Sequence, residues 1–422
     1  MSKMKNSGVE WIGEIPEDWN VIRFKDKYRN VKEIAGEKSS EYERLALTLN
    51  GVIKRPKDDS EGLQPKEFDG YQILRDNDFV FKMIDLQNIS TSRVGLSPYT
   101  GLVSPAYIRF SAKNKNEYTK YTYYYLMSMY YNCVFNSLGG DGVRSALNAS
   151  DMGNLKIPMP SLESQKAIVD AIESKTTKID ALISNEEKQI EKLKAYKQAL
   201  ITETVTKGLD KNVKMKDSGV EWIGEIPEGW EIYYPKALFK QRKERAMTGD
   251  KQLTASQQYG IMNQKEYMEI TGSRVVVVEK DFDILKHVEK GDFVLSMRSF
   301  QGGLEYSEVT GCISSAYVML IPYSEKVYSP YFKWLLKSSV YINAIQSTSN
   351  LVRDGQAMRF ANFIQIWLPC PPQKEQKAIA EFLDKKCKQI EILISKKLEF
   401  IEKLNTYKKS LIYEYVTGKK QA

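Results

Sequence analysis

Between residues 160 and 207 apolar side chains recur at steps of three, four and seven: Ile168, Ile172, Ile179, Leu182, Ile183, Ile190, Leu193, Tyr196 and Leu200. Lys, Glu, Asp and Gln fill most positions between them, which predicts an amphipathic helix with a heptad-like stripe. Prolines stand just before it, where a fixed φ and a missing amide are tolerated. Neither Pro nor Gly then interrupts roughly 45 residues, until Gly208, which is long for a helix of a globular protein. The pattern returns as Ile379, Leu383, Ile390, Leu393, Ile394, Ile401, Leu404, Tyr407 and Leu411, and stops at Gly418. One stripe cannot be buried alone, so the two helices are expected to bury each other. Chain order makes them antiparallel, a rod of roughly 65 Å with a domain at each end and Ala422 returning towards Met1.

Shorter patterns fill the rest. RVVVV at 274–278 and AYVMLI at 316–321 predict strands, and 123–131 and 331–345 predict helices. The leader KMKNSGVEWIGEIPEDW, starting at Lys3, recurs as KMKDSGVEWIGEIPEGW from Lys214, 211 residues later, and Gln165 and Gln376 keep the same interval. A whole domain-plus-helix unit is therefore duplicated. The fold class expected is α+β: two mixed α/β domains (1–159 and 211–370) separated by two long antiparallel coiled-coil helices (160–210 and 371–422), with a pseudo-two-fold internal duplication. The domain interiors share only a skeleton, such as DNDFVF at 76–81 against KGDFVL at 290–295 and GLVSPAYIRF at 101–110 against GCISSAYVML at 311–320. Copies that read different targets have reason to diverge in this way.

Charge and composition add limits. A net charge of +8 suits a polyanionic partner, although excess Lys also serves solubility. Cys133, Cys312, Cys370 and Cys387 form no CxxC pair, and His287 is the single histidine, which argues against a zinc module or a histidine triad. No apolar run is long enough to span a membrane and nothing resembles a signal peptide, so a cytoplasmic protein is expected.

Three stretches carry candidate contact chemistry. The polar loop at 47–59 holds Lys54, Arg55 and Lys57, and its counterpart at 255–267 holds Gln257, Gln258, Asn263, Gln264 and Lys265. Arg and Lys suit guanine or phosphate, and Asn and Gln suit adenine. A solvated loop is the alternative for each residue. The second stretch has Lys82, Gln87, Asn88, Ser92 and Arg93, matched by Arg298, Ser299 and Gln301; a plain hairpin loop is its alternative. The third has Arg144 after a GGDG cluster, with Arg353 and Arg359 in the later copy, as phosphate contacts or as arginines paired within their domains. The YTYYYLMSMYY run is read as core packing rather than base stacking.

No methyltransferase, helicase or nuclease motif is evident. The leader, the helix starts IPMPSLESQ and LPCPPQKEQ, the SPAYIRF and SSAYVML segments and the alternation of domain and helix closely resemble the specificity subunit of type I restriction and modification systems. Ser164 departs from the family's usual Glu, which Glu375 keeps. The resemblance implies a non-catalytic subunit with two target recognition domains, each reading half of a bipartite, asymmetric sequence in double-stranded DNA. It further implies two modification subunits docked on the helices, with restriction subunits joining them. S-adenosylmethionine, ATP and Mg are then expected on the partners and no cofactor in this chain. A tandem-domain scaffold that binds nucleic acid only non-specifically is the alternative, and a self-contained methyltransferase or endonuclease is a third reading.

Overall fold

The computed structural model describes residues 3–58, 67–84, 86, 93–138, 146–278, 282–296, 302–348 and 358–422. The chain divides into two compact units, Met1–Glu186 with Leu398–Ala422, and Glu187–Lys397. Both boundaries fall inside long unbroken helices, Leu162–Lys207 and Gln373–Val416. Each unit is thus one domain plus a segment of each helix.

In unit 1, strands β1 (Met4–Asn6) and β2 (Glu14–Pro16) form the leader hairpin, and β3 (Asn20–Arg23) pairs antiparallel with β12 (Lys156–Met159). This second ladder ties the start of the domain to the residues that launch the long helix. Two four-stranded sheets follow. One has β4 (Tyr28–Asn30) beside β11 (Ile108–Ala112), β8 (Phe79–Phe81) and β9 (Val94–Leu96). The other runs β6 (Gly51–Arg55), β5 (Arg44–Thr48), β10 (Gly101–Val103), β7 (Gln72–Leu74). Phe24, Tyr28, Phe79, Phe81 and Phe110 form a ring cluster with centroids 4.5–6.2 Å apart. Helix α1 (Thr119–Tyr131) adds Tyr121 and Tyr125 to that core, so its rings are packing groups as expected.

The C-terminal end of the second long helix belongs to this core. Leu411, Ile412, Tyr415 and Val416 are buried with Trp19, and Tyr121 Oη donates to the Val416 carbonyl at 3.1 Å. Gly418 then turns with φ +71° directly against Pro16 and Trp19, where a Cβ would clash. Within the unit the helices run antiparallel: Lys408 pairs with Asp180 at 2.7 Å, and Lys175 lies over the Tyr415 ring.

Unit 2 repeats the plan. Its leader hairpin is β13 (Met215–Asp217) with β14 (Glu225–Pro227), and β15 (Glu231–Tyr233) pairs with β24 (Leu368–Cys370). Strands β16 (Phe239–Gln241), β23 (Val318–Pro322), β20 (Phe293–Leu295) and β21 (Glu305–Tyr306) make the larger sheet. Strands β17 (Leu253–Ser256) and β18 (Gly260–Asn263) form a hairpin, and β19 (Lys286–Val288) pairs with β22 (Gly311–Ile313). The end of the first long helix packs in this core, with Ile201 and Val205 beside Trp230 and Tyr331 Oη donating to the Val205 carbonyl at 2.8 Å. Lys197 pairs with Glu391 at 2.5 Å, the residues that match Lys408 and Asp180.

The retained glutamines have a structural use. Gln165 is buried and its Nε2 donates to the Pro160 carbonyl at 2.9 Å, while Gln376 donates to the Pro371 carbonyl at 2.8 Å. Each closes the proline turn that starts its helix.

Three expectations need correction. RVVVV forms no strand: Val276 is 85% exposed, and Val278 exchanges two hydrogen bonds with the Gln252 side chain instead of a ladder. Tertiary partners here override β propensity. Residues 331–345 are two helices, Ser329–Leu335 and Ser339–Ser347, because the Leu336 carbonyl accepts from Leu304 N and Ser338 caps the second helix. The stripe is also only partly buried. Ile168, Ile172, Ile179, Ile190, Ile379, Leu383, Ile390 and Leu411 are covered, whereas Leu182, Tyr196, Leu393 and Tyr407 are exposed.

Candidate nucleic-acid interface

The segment expected as a loop at 47–59 contains most of a β-hairpin. Leu45, Leu47 and Val52 alternate onto a small core with Val80 and Val103, while Leu49 and Asn50 make the tight turn and Gly51 opens β6 with φ +86°. The ladder pairs Arg44 with Arg55, Leu45 with Lys54 and Thr48 with Gly51. A two-stranded ribbon of this kind can enter a major groove.

Lys54 projects from β6 and pairs with Glu43 at 2.5 Å, 5.3 Å above the Tyr99 ring. Its hydrogen bond to Glu43 holds the ammonium above the usual lysine range. Lys57 donates to the Ser39 carbonyl at 2.8 Å and lies 5.8 Å over Phe68. Arg44, Arg55, Asn50, Tyr71, Ser104 and Tyr107 open onto a cleft of about 580 Å³ along β5. Burial raises the Tyr107 phenol above its ordinary value. Arg44, Tyr71 and Tyr107 are not among the residues expected from sequence. The sequence carries no clear signal for Arg44: a two-residue Asn50-Gly51 turn would set Lys57 opposite it, whereas the observed register, with Thr48 opposite Gly51, sets Arg55 there.

The second domain places its candidates on the matching hairpin and on the first turn of the helix that follows it. Gln258 is exposed at the tip, and Gln257 packs against Gly302. Asn263 caps the short helix Gln264–Thr271 by accepting from Lys265 N at 2.9 Å, and Lys265 is exposed in its first turn. Gln264 Nε2 approaches the Leu253 and Val276 carbonyls at 3.5 Å.

Lys82 follows β8, half-buried, with its amide on the Arg93 carbonyl. Arg93 is a correction. It is 1% exposed, and its guanidinium donates to the Leu86 carbonyl at 2.9 Å and to that of Ile84 at 3.4 Å. Buried on these carbonyls, it presents nothing to a groove. Arg359 is exposed at the start of a one-turn helix, where its amide donates to Asn362 Oδ1. Gln87, Asn88, Ser92, Arg144, Arg298, Ser299, Gln301 and Arg353 lie outside the described residues. Among the described residues no group of His, Cys, Asp and Glu could hold a metal ion, and no helix is long and apolar enough to cross a membrane.

Comparison with known proteins agrees with this duplicated plan. The family model of the type I restriction modification DNA specificity domain matches twice, at residues 16–194 and 227–403. The type I restriction enzyme MjaVIII specificity subunit of Methanocaldococcus jannaschii is 26% identical, over 96% of this chain and 93% of its own. A protein of that organism named for the MjaX specificity subunit is also 26% identical, over 99% and 97%. In fold the chain is similar to one solved in work on complex assembly and conformational transition of the type I R-M system. That likeness has a TM-score of 0.67 and 13% identity, covering 96% of this chain and 99% of the other. Since the matched regions take in both domains and most of both long helices, the chain belongs to the type I restriction-modification specificity family, as a non-catalytic subunit with two recognition domains.

Proposed function

We propose that this chain reads a bipartite, asymmetric sequence in double-stranded DNA, one half per domain, and carries two modification subunits on its helices. The observation behind this reading is a contrast inside one chain. The leaders, the helix starts and the ladders around them repeat closely, while the matching hairpins present Asn50, Lys54 and Arg55 in one domain and Gln257, Gln258 and Lys265 in the other. Different polar groups on one frame suit different base edges.

The helices support the docking half of the proposal. Unit 1 exposes Leu182 and Tyr407, and unit 2 exposes Leu393 and Tyr196, the same two positions shifted by 211 residues. Two equivalent apolar patches suit two copies of one partner. Restriction subunits would join through those partners, which would also hold S-adenosylmethionine, ATP and Mg, and the complex would work in the cytoplasm.

Selection from a pool of randomised duplexes by the chain assembled with its cognate modification subunits tests the reading. One enriched motif with two unlike parts at a fixed interval is expected. Retention with no enriched motif would instead support the scaffold that binds nucleic acid non-specifically.

A further inference from the structure

Two independent registers align the hairpins of the two units. Leu45 opposes Lys54 as Leu253 opposes Asn263; one step outward Arg44 pairs with Arg55 in unit 1, and in unit 2 Gln264 N donates to the Gln252 carbonyl at 3.0 Å. The parallel bridge agrees, joining Arg44 to Leu102 and Gln252 to Cys312. One cross-strand position therefore carries two guanidinium groups in the first domain and two amides in the second.

The surroundings of that position differ as well. In unit 2 the chain covers it with its own residues 276–278. Gln252 Nε2 donates to the Val278 carbonyl at 2.7 Å, Val278 N donates back to Gln252 Oε1 at 2.9 Å, and Gln264 Nε2 approaches the Val276 carbonyl. The two glutamines act as a surrogate strand edge for the RVVVV segment. In unit 1 the same place is the cleft of about 580 Å³, with both arginines on its wall and the Tyr71 and Tyr107 rings beside them.

We propose that the unit 1 cleft grips a backbone phosphate of bound DNA between Arg44 and Arg55, and that the matching position of the second domain, held by Gln252 and Gln264, does not. This rests on the DNA-reading function proposed above and adds an asymmetry to it. Guanidinium groups match phosphate oxygens in fork geometry, and adjacent rings provide apolar walls for the sugar. Phosphate contacts fix the register of a protein on the duplex without reading sequence, so the first domain would anchor the complex electrostatically.

The test uses the full chain assembled with its cognate modification subunits and a labelled duplex of random sequence, with affinity measured across a salt series. Arg44→Gln combined with Arg55→Gln installs the residues with which domain 2 folds. It should reduce the slope of log affinity against log salt by about 1 and weaken binding about tenfold at low salt. Arg44→Lys with Arg55→Lys should keep the slope, and Gln252→Ala with Gln264→Ala should leave it unchanged. A second arm needs no variant: duplex should protect Arg44 and Arg55 from phenylglyoxal, read by mass spectrometry. An unchanged slope in the folded double-Gln chain, or unprotected arginines on a chain that binds duplex, would overturn the grip while leaving DNA reading intact. A wild-type chain with no affinity for duplex would overturn both.

Discussion

In unit 1 the buried Asp78 accepts from Arg109 Nε at 2.5 Å, and in unit 2 the matching Asp292 accepts from Arg242 Nε at 2.6 Å. The aspartates align, but the arginines do not. Arg109 stands on β11, where the second copy has Met319, and Arg242 follows β16, where the first copy has Val31. These positions are neighbours in the folded sheet, since Val31 N donates to the Arg109 carbonyl and Arg242 N to that of Met319. The duplicated frame thus retains a buried ion pair as a physical requirement while changing the strand that satisfies it. The hairpin position occupied by Arg44 and Arg55 in one copy and Gln252 and Gln264 in the other behaves differently, because there the chemistry itself changes. Agreement in function across a changed sequence marks framework, and disagreement on a constant framework marks recognition.

That distinction can be broken by mutation. Arg109→Met strands the Asp78 carboxylate in the core and should destabilise unit 1 by about 3–5 kcal/mol in urea denaturation. Adding Val31→Arg, which transplants the unit 2 arrangement, should recover most of the loss. No recovery would mean that the two ion pairs are not equivalent.

A smaller effect is expected where the long helices start. Trp230 Nε1 donates to Glu375 at 2.9 Å, whereas the corresponding residue in the first copy is Ser164, whose hydroxyl faces Ser161 at 3.0 Å. Glu375→Ser should cost unit 2 about 1 kcal/mol. Ser164→Glu should stabilise unit 1 by less, as judged by the same denaturation curves.

The weakest contrast is titratable. Glu305 is buried on β21 against Lys337 at 2.5 Å, where unit 1 has Gly95 and Met127. Burial raises its carboxyl above the ordinary value, with Lys337 opposing the shift. The folded chain therefore holds this proton more tightly than the unfolded chain. The group's favourable contribution is complete below the unfolded pKa and declines as pH rises through the folded one. Glu305→Gln should gain stability relative to wild type as pH is raised from about 4 to about 7. A constant difference would show that the group is not perturbed.

Much of the framework was legible in the sequence. Leaders, helices and the interval of 211 residues survive as near-identical or periodic text, because Trp19, Trp230, Gln165 and Gln376 are locked in cores and helix starts. The candidate interface was less legible. Asn50-Gly51 between alternating apolar residues is a hairpin signal, but the surrounding polar composition reads as loop. Nothing local to Arg93 indicates that carbonyls seven and nine residues earlier take up its guanidinium. Nor does RVVVV carry a sign that two glutamine side chains replace its strand partner. Those outcomes depend on long-range pairing, which a linear pattern does not encode.

Each domain is proposed to read its own half of the target. Methylation mapping tests it most directly, in a host expressing the cognate modification subunits with either wild-type chain or a chain whose residues 231–366 are replaced by residues 20–155. Wild type should mark one motif with two unlike halves, and the replacement should mark a motif built from one half used twice. An unchanged motif in the replaced chain, or a wild-type motif of a single undivided part, would contradict the account.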